Sequence, residues 1–146
     1  TVSAWWAFDS AAGAGQRAPD GLLLRLGTGE SVRLASVIDG KRHTLLLFDG
    51  RAPTPEGYAR LAGVARAVER SWADLIDVHV VVPGDERPPE LDWDGSMLLD
   101  IYGDLEDRYG ARAECLYLVR PDLYIGFRSQ PADQDALFRY LKRIFV

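Results

Sequence analysis

Apolar positions along the chain form runs whose spacing changes from one stretch to the next. Residues 44–48, Thr44-Leu45-Leu46-Leu47-Phe48, are apolar without alternation, the pattern of a central strand buried on both faces. After Asp49-Gly50 the spacing turns helical: Tyr58, Leu61, Ala65, Val68 and Trp72 recur at steps of three and four, while Arg60, Arg66 and Arg70 lie off that stripe. Thr54 is placed to cap this helix, and Pro55 suits its first position, where a missing N–H costs nothing. Ile76–Val82 returns to a strand pattern, closed by Pro83-Gly84. Upstream, residues 22–26 predict a short strand ending at Gly27-Thr28-Gly29, and the apolar Val32, Leu34, Val37 and Ile38 predict a short helix.

Downstream, residues 85–95 are polar and proline-bearing, a loop. Residues 104–109 predict a short helix with Gly110 at its C-terminal cap. Cys115–Val119 and residues 124–128 are two strands joined by Arg120-Pro121-Asp122-Leu123, an antiparallel hairpin. A last helix covers about 132–145, with Asp133 and Asp135 first and Arg139, Lys142 and Arg143 last, which complements the helix dipole. From Thr44 onward the order is β-α-β then α-β-β-α. This is the order of a thioredoxin-like α/β fold: a central mixed sheet flanked by helices, here with an extra N-terminal strand. Residues 1–20 form an irregular N-terminal arm, with Ala11-Ala12-Gly13-Ala14-Gly15 as a hinge, and residues 21–146 form the domain.

At 146 residues the chain is of single-domain length, and from its start at Thr1 it is expected to be a cut or processed piece. The net charge of −5 hides an asymmetry: residues 74–107 hold 11 acids against one base, Arg87. Without a basic stripe the chain is not expected to bind nucleic acid, and without a polybasic or long apolar segment it is not expected at a membrane. One cysteine, Cys115, excludes an internal disulfide and fits the cytoplasm.

The chemistry-bearing residues are sparse. Thiol chemistry on this fold needs a low-pKa cysteine where the first central strand meets its helix. The matching residues are Asp49-Gly50-Arg51-Ala52-Pro53-Thr54-Pro55, with no cysteine, and Ala113-Glu114 stand where the fold usually places a proline. Cys115, within an apolar strand, is expected to be buried and inert. His79 shares its strand face with Asp77 and reads as a core or rim histidine; His43 is the only other one. Asp92-Trp93-Asp94-Gly95 opens like a calcium loop but lacks the closing glutamate, and Gly13-Ala14-Gly15 has neither strand before it nor helix after it. No catalytic, cofactor-binding or metal-ligating set is expected in this chain.

Particular strings carry a family resemblance. Gly15-Gln16-Arg17-Ala18-Pro19-Asp20, the 44–48 run, Tyr109-Gly110-Ala111, Leu118-Val119-Arg120-Pro121-Asp122 and Tyr124-Ile125-Gly126-Phe127-Arg128 together resemble the C-terminal domain of FAD-dependent aromatic hydroxylases. The resemblance implies a thioredoxin-like, non-catalytic structural or dimerisation domain of a flavoprotein monooxygenase. It implies upstream flavin and substrate domains as partners, and FAD and NAD(P)H as cofactors of the parent enzyme, with none held here. Leu123 departs from the family, which often has glycine after Pro-Asp, so the turn is not expected to rely on a glycine in left-handed geometry. The alternative is a free-standing, redox-inactive thioredoxin-like binding module. An active thiol oxidoreductase is a third reading that the missing cysteines oppose. Trp5, Trp6 and Phe8, three large aromatics ahead of the hinge, are expected to pack somewhere: on this domain, against parent domains, or across a homodimer interface.

Overall fold

The computed structural model describes residues 4–145. Its organising element is β3 (His43–Phe48), whose side chains alternate between two separate apolar layers. Leu45 and Leu47 enter one layer and Leu46 and Phe48 the other, which explains the missing polar alternation. β3 pairs in parallel with β4 (Ile76–Val82) and antiparallel with β6 (Cys115–Val119), so it is interior on both edges. The sheet has seven strands in the order β2-β1-β5-β4-β3-β6-β7. The outer strands are β1 (Leu22–Arg25), β2 (Ser31–Arg33), β5 (Met97–Leu99) and β7 (Ile125–Ser129). This is the thioredoxin-like mixed sheet flanked by helices that the element order predicts.

One layer is built by α3 (Pro55–Trp72) and α5 (Gln134–Ile144), through Tyr58, Leu61, Ala65, Val68, Leu137 and Leu141. Thr54 caps α3 as expected, its hydroxyl accepting the Gly57 N–H at 2.9 Å, and Asp133 caps α5 through the Ala136 N–H at 3.0 Å. The opposite layer packs α2 (Leu34–Val37) and α4 (Asp104–Arg108) on the sheet through Leu34, Leu105 and the stacked rings of Phe48 and Tyr109.

The structure departs from the sequence reading at four places. Residues 31–33 pair with β1 before the short helix α2 begins, because Val32 gains more from facing the second layer than from one helical turn. Met97–Leu99 is a strand with no pattern of its own, fixed by pairing with both β4 and β1. Part of the arm is helical: α1 (Ala4–Ser10) packs Phe8 on Tyr117, with ring centroids 5.7 Å apart. Finally, the hairpin turn keeps left-handed geometry without glycine, since Leu123 itself takes φ 71°. Among the described residues no helix is long and apolar enough to cross a membrane.

Candidate functional site

In a sheet with parallel central strands, ligand sites form beyond the carboxyl ends of those strands. Here that end is built from the 49–54 loop, the residues ahead of β6 and the entry to α5. Gly50 allows the first two to touch: its φ is +84°, and a Cβ would lie 2.6 Å from the Ala113 carbonyl carbon. Arg51 ties the loop to α4, donating to the Gly103 carbonyl at 2.7 Å and pairing with Asp107 at 3.0 Å.

Glu114 is the keystone of this end. Its side chain is buried, crossing the first turn of α3 where Gly57 leaves room; a Cβ there would lie 2.6 Å from Glu114 Cγ. One carboxyl oxygen accepts Arg60 Nε at 2.8 Å and Nη2 at 2.6 Å, and the other accepts the Ala132 N–H at 2.7 Å. One carboxylate therefore joins α3, β6 and the start of α5. A groove opens beside it, in one lobe of about 410 Å³ over Ala52, Thr54 and Glu114 and another of about 600 Å³ over Ala59, Gly63 and Asp133. Arg60 and Pro131 belong to both lobes.

A second buried acid set lies behind the loop. Asp49 accepts the Tyr58 hydroxyl at 2.8 Å, and Asp100 caps α4 through the Leu105 and Glu106 N–H groups at 3.2 and 2.8 Å. Asp49 Oδ1 and both Glu106 carboxyl oxygens are buried and receive no N–H or O–H from another group. Carboxyl oxygens that face one another without other donors are satisfied by a proton held between them. Burial, first of all, pushes Asp49 up to about 6, and burial together with the adjoining Asp49 pushes Glu106 up to about 9.

Among the described residues, no cysteine or histidine lines the groove. Thr54 Oγ1 is occupied as the cap, and Ala52 and Pro53 offer no nucleophile. Cys115 is fully buried, and burial lifts its thiol well above the usual range, so it does not ionise. His79 is half-buried, within 2.6 Å of the Ser96 hydroxyl, and desolvation pulls it down to about 4. Burial likewise lowers His43, whose ring meets Phe145 edge-on. Among the described residues no group of three His, Cys, Asp or Glu side chains is placed to hold a metal.

Of the three aromatics singled out in the arm, the structure describes the side chain of Phe8 alone; those of Trp5 and Trp6 lie outside the described residues. Phe8 is half-buried, with the Arg128 guanidinium 4.1 Å from its ring centre and donating to its carbonyl at 2.5 Å. Sequence reasoning missed Glu114 as an ion-pair partner and missed the Asp49–Glu106 contact. For Glu114 the available signal was an acid placed directly ahead of an all-apolar strand.

No family model and no curated protein matches the chain. Solved structures do. A protein described as the thiol:disulfide interchange protein DsbE, from Chlorobium tepidum, is 18% identical, with a TM-score of 0.72 over 93% of this chain and 100% of that one. The thioredoxin domain of a thiol-disulfide oxidoreductase from Bacteroides vulgatus is 18% identical, at 0.68 over 92% and 99%. Peroxidoxin BcpB from Mycobacterium tuberculosis is 18% identical, at 0.68 over 92% and 97%. At such identities the likeness establishes the thioredoxin fold alone.

These findings correct the hydroxylase assignment. The neighbours are thiol-disulfide exchange proteins and a peroxidoxin, each matched over nearly its whole chain, and none of the three is a domain of a flavoprotein. The structural or dimerisation role in an FAD-dependent monooxygenase falls with it, as do the flavin and substrate domains as partners. The physical reason lies in the strings that carried the resemblance. A leucine-rich central strand and a Pro-Asp hairpin are what this sheet needs at those places, so they report the fold rather than a parent enzyme.

Proposed function

We propose that the chain is a redox-inactive thioredoxin-fold binding module that holds an extended segment of another protein in the groove beside α3. The observation that carries this reading is the groove itself. It opens beyond the carboxyl end of β3, yet Ala52, Pro53 and Thr54 stand where a thiol would be needed on this fold and the sole cysteine is sealed in the core. The Arg60–Glu114 pair gives the groove a fixed polar wall, and Ala59 and Gly63 give it a flat floor. The single, buried thiol supports a cytoplasmic address.

The test is selection of binders from a random displayed peptide library, followed by Ala59→Trp, which fills the groove from an exposed helical position. Selected peptides are expected to lose binding to that variant, and the wild-type protein is expected to leave a disulfide substrate unreduced in the presence of dithiol. Peptides indifferent to Ala59→Trp, or turnover of the disulfide, would overturn the reading.

A further inference from the structure

A cleft of about 580 Å³ lies between β7 and the second half of α5, on a different side of α5 from the groove. Its floor is aromatic: the rings of Phe127 and Tyr140 lie 5.3 Å apart and tilted by 31°. Its rim is cationic. Arg139, Lys142 and Arg143 follow one another at helical spacing, and the Arg143 guanidinium sits 5.7 Å from the Tyr140 ring centre. All three bases are exposed, and among the described residues no carboxylate pairs with any of them. Arg120, whose stem reaches the same neighbourhood beside Gly126, is already engaged by Asp122 at 2.6 Å.

From this arrangement we infer that the β7–α5 cleft is a docking site for a short acidic segment of a partner protein, one carrying an aromatic or bulky apolar side chain for the Phe127–Tyr140 floor. Charge complementarity selects the occupant. The chain carries −5 overall, so three unpaired bases around an apolar floor are a local reversal of sign. An extended polyanion, such as a nucleic acid or an anionic bilayer, would also meet the exposed Asp122, which is paired with Arg120, and the exposed Asp135, one helical turn before Arg139, on a chain of net charge −5. Repulsion between exposed charges persists over about 8 Å at physiological ionic strength, so a short segment fits where a long polyanion does not. The aromatic floor adds stacking and cation–π contact that a plain anion would not use.

The probe is a fluorescein-labelled peptide of six glutamates around a central tryptophan, titrated with the full chain and followed by anisotropy at physiological salt. Saturable binding is expected, weakening as salt rises. Lys142→Glu with Arg143→Glu should weaken it about tenfold or more, and Arg139→Glu alone by a smaller factor, while Arg33→Glu on β2 leaves it unchanged. These positions are exposed, and circular dichroism confirms that the variants fold. Absence of saturable binding, or binding that the double variant leaves unchanged, would overturn the inference. So would tighter binding of oligothymidylate or of anionic vesicles, and so would self-association that the double variant abolishes, which would make a second copy the occupant. None of these outcomes bears on the groove, because Ala59→Trp does not touch the cleft.

Discussion

Two buried acids at the same end of the sheet are kept in opposite ways. Glu114 is kept by charge: Arg60 supplies two donors to one oxygen and the Ala132 N–H supplies one to the other. Glu106 is kept by a proton: no cation donates to its oxygens, Arg51 acts on it only through its field, and its neighbour is Asp49. The first arrangement costs desolvation of the carboxylate, Arg60 staying half exposed, and recovers it through directed bonds; the second avoids the ions altogether. Glu114 is thus a mechanical tie among three elements. Glu106 and Asp49 are a joint whose strength depends on proton supply.

The largest effect is expected from breaking the tie. Arg60→Ala leaves the Glu114 carboxylate buried without its cation and should cost about 3 kcal/mol in urea unfolding, at the lower end for such losses because Arg60 is half exposed. Pairing it with Glu114→Gln should restore most of that. A double variant as unstable as the single one would show that packing, not charge, holds this end.

The next effect sharpens the contrast through pH. Burial holds Glu106 near 9 against an ordinary 4.5, so between those values the folded chain carries a proton that the unfolded chain has lost. Its contribution to stability is full below about pH 4.5 and is lost as pH rises through about 9. Asp49, raised from 3.8 to about 6, adds the same trend at lower pH. Melting temperature should therefore fall from pH 6 to pH 9, and Glu106→Gln, which donates permanently to Asp49, should flatten that fall. An equal slope in both proteins would remove the proton from the account.

Tyr58→Phe comes third. It deletes the hydroxyl that donates to Asp49 and should cost about 1 kcal/mol. The smallest effect is expected at Gly57→Ala. Higher helix propensity offsets about 1 kcal/mol of the crowding against Glu114 Cγ, leaving a slight net loss in thermal melting. A gain would mean that Glu114 moves aside freely.

The elements that sequence periodicity reaches are those whose own residues decide their structure. β3 is legible because both faces are apolar, and α3 because Thr54-Pro55 starts it and a stripe of five residues continues it. β5 is not legible, since three residues acquire strand geometry only from partners on both sides. Leu123 shows a different limit. Its left-handed backbone normally selects glycine, but its side chain packs toward Ala18 and Leu34 under the arm, and that burial offsets the strain. At the site, the missing thiols were plain from residues 49–55. The Glu114 tie and the Asp49–Glu106 joint were not, because each joins residues more than fifty positions apart through side chains that no local pattern couples.

The arm's course along β7 bears on how copies of this chain meet when crowded. Gly15 and Ala18 donate to Ile125 and Leu123, Ile125 donates back to Gln16, and Tyr109 fastens Pro19, so the opening of β7 already has a neighbour. What remains of that rim is Gly126–Ser129, and the opposite rim, β2, is three residues long and ends in Arg33. Both borders are therefore too short to template an added strand, and the arm acts as a selvage that keeps the woven sheet from being extended into a fibre.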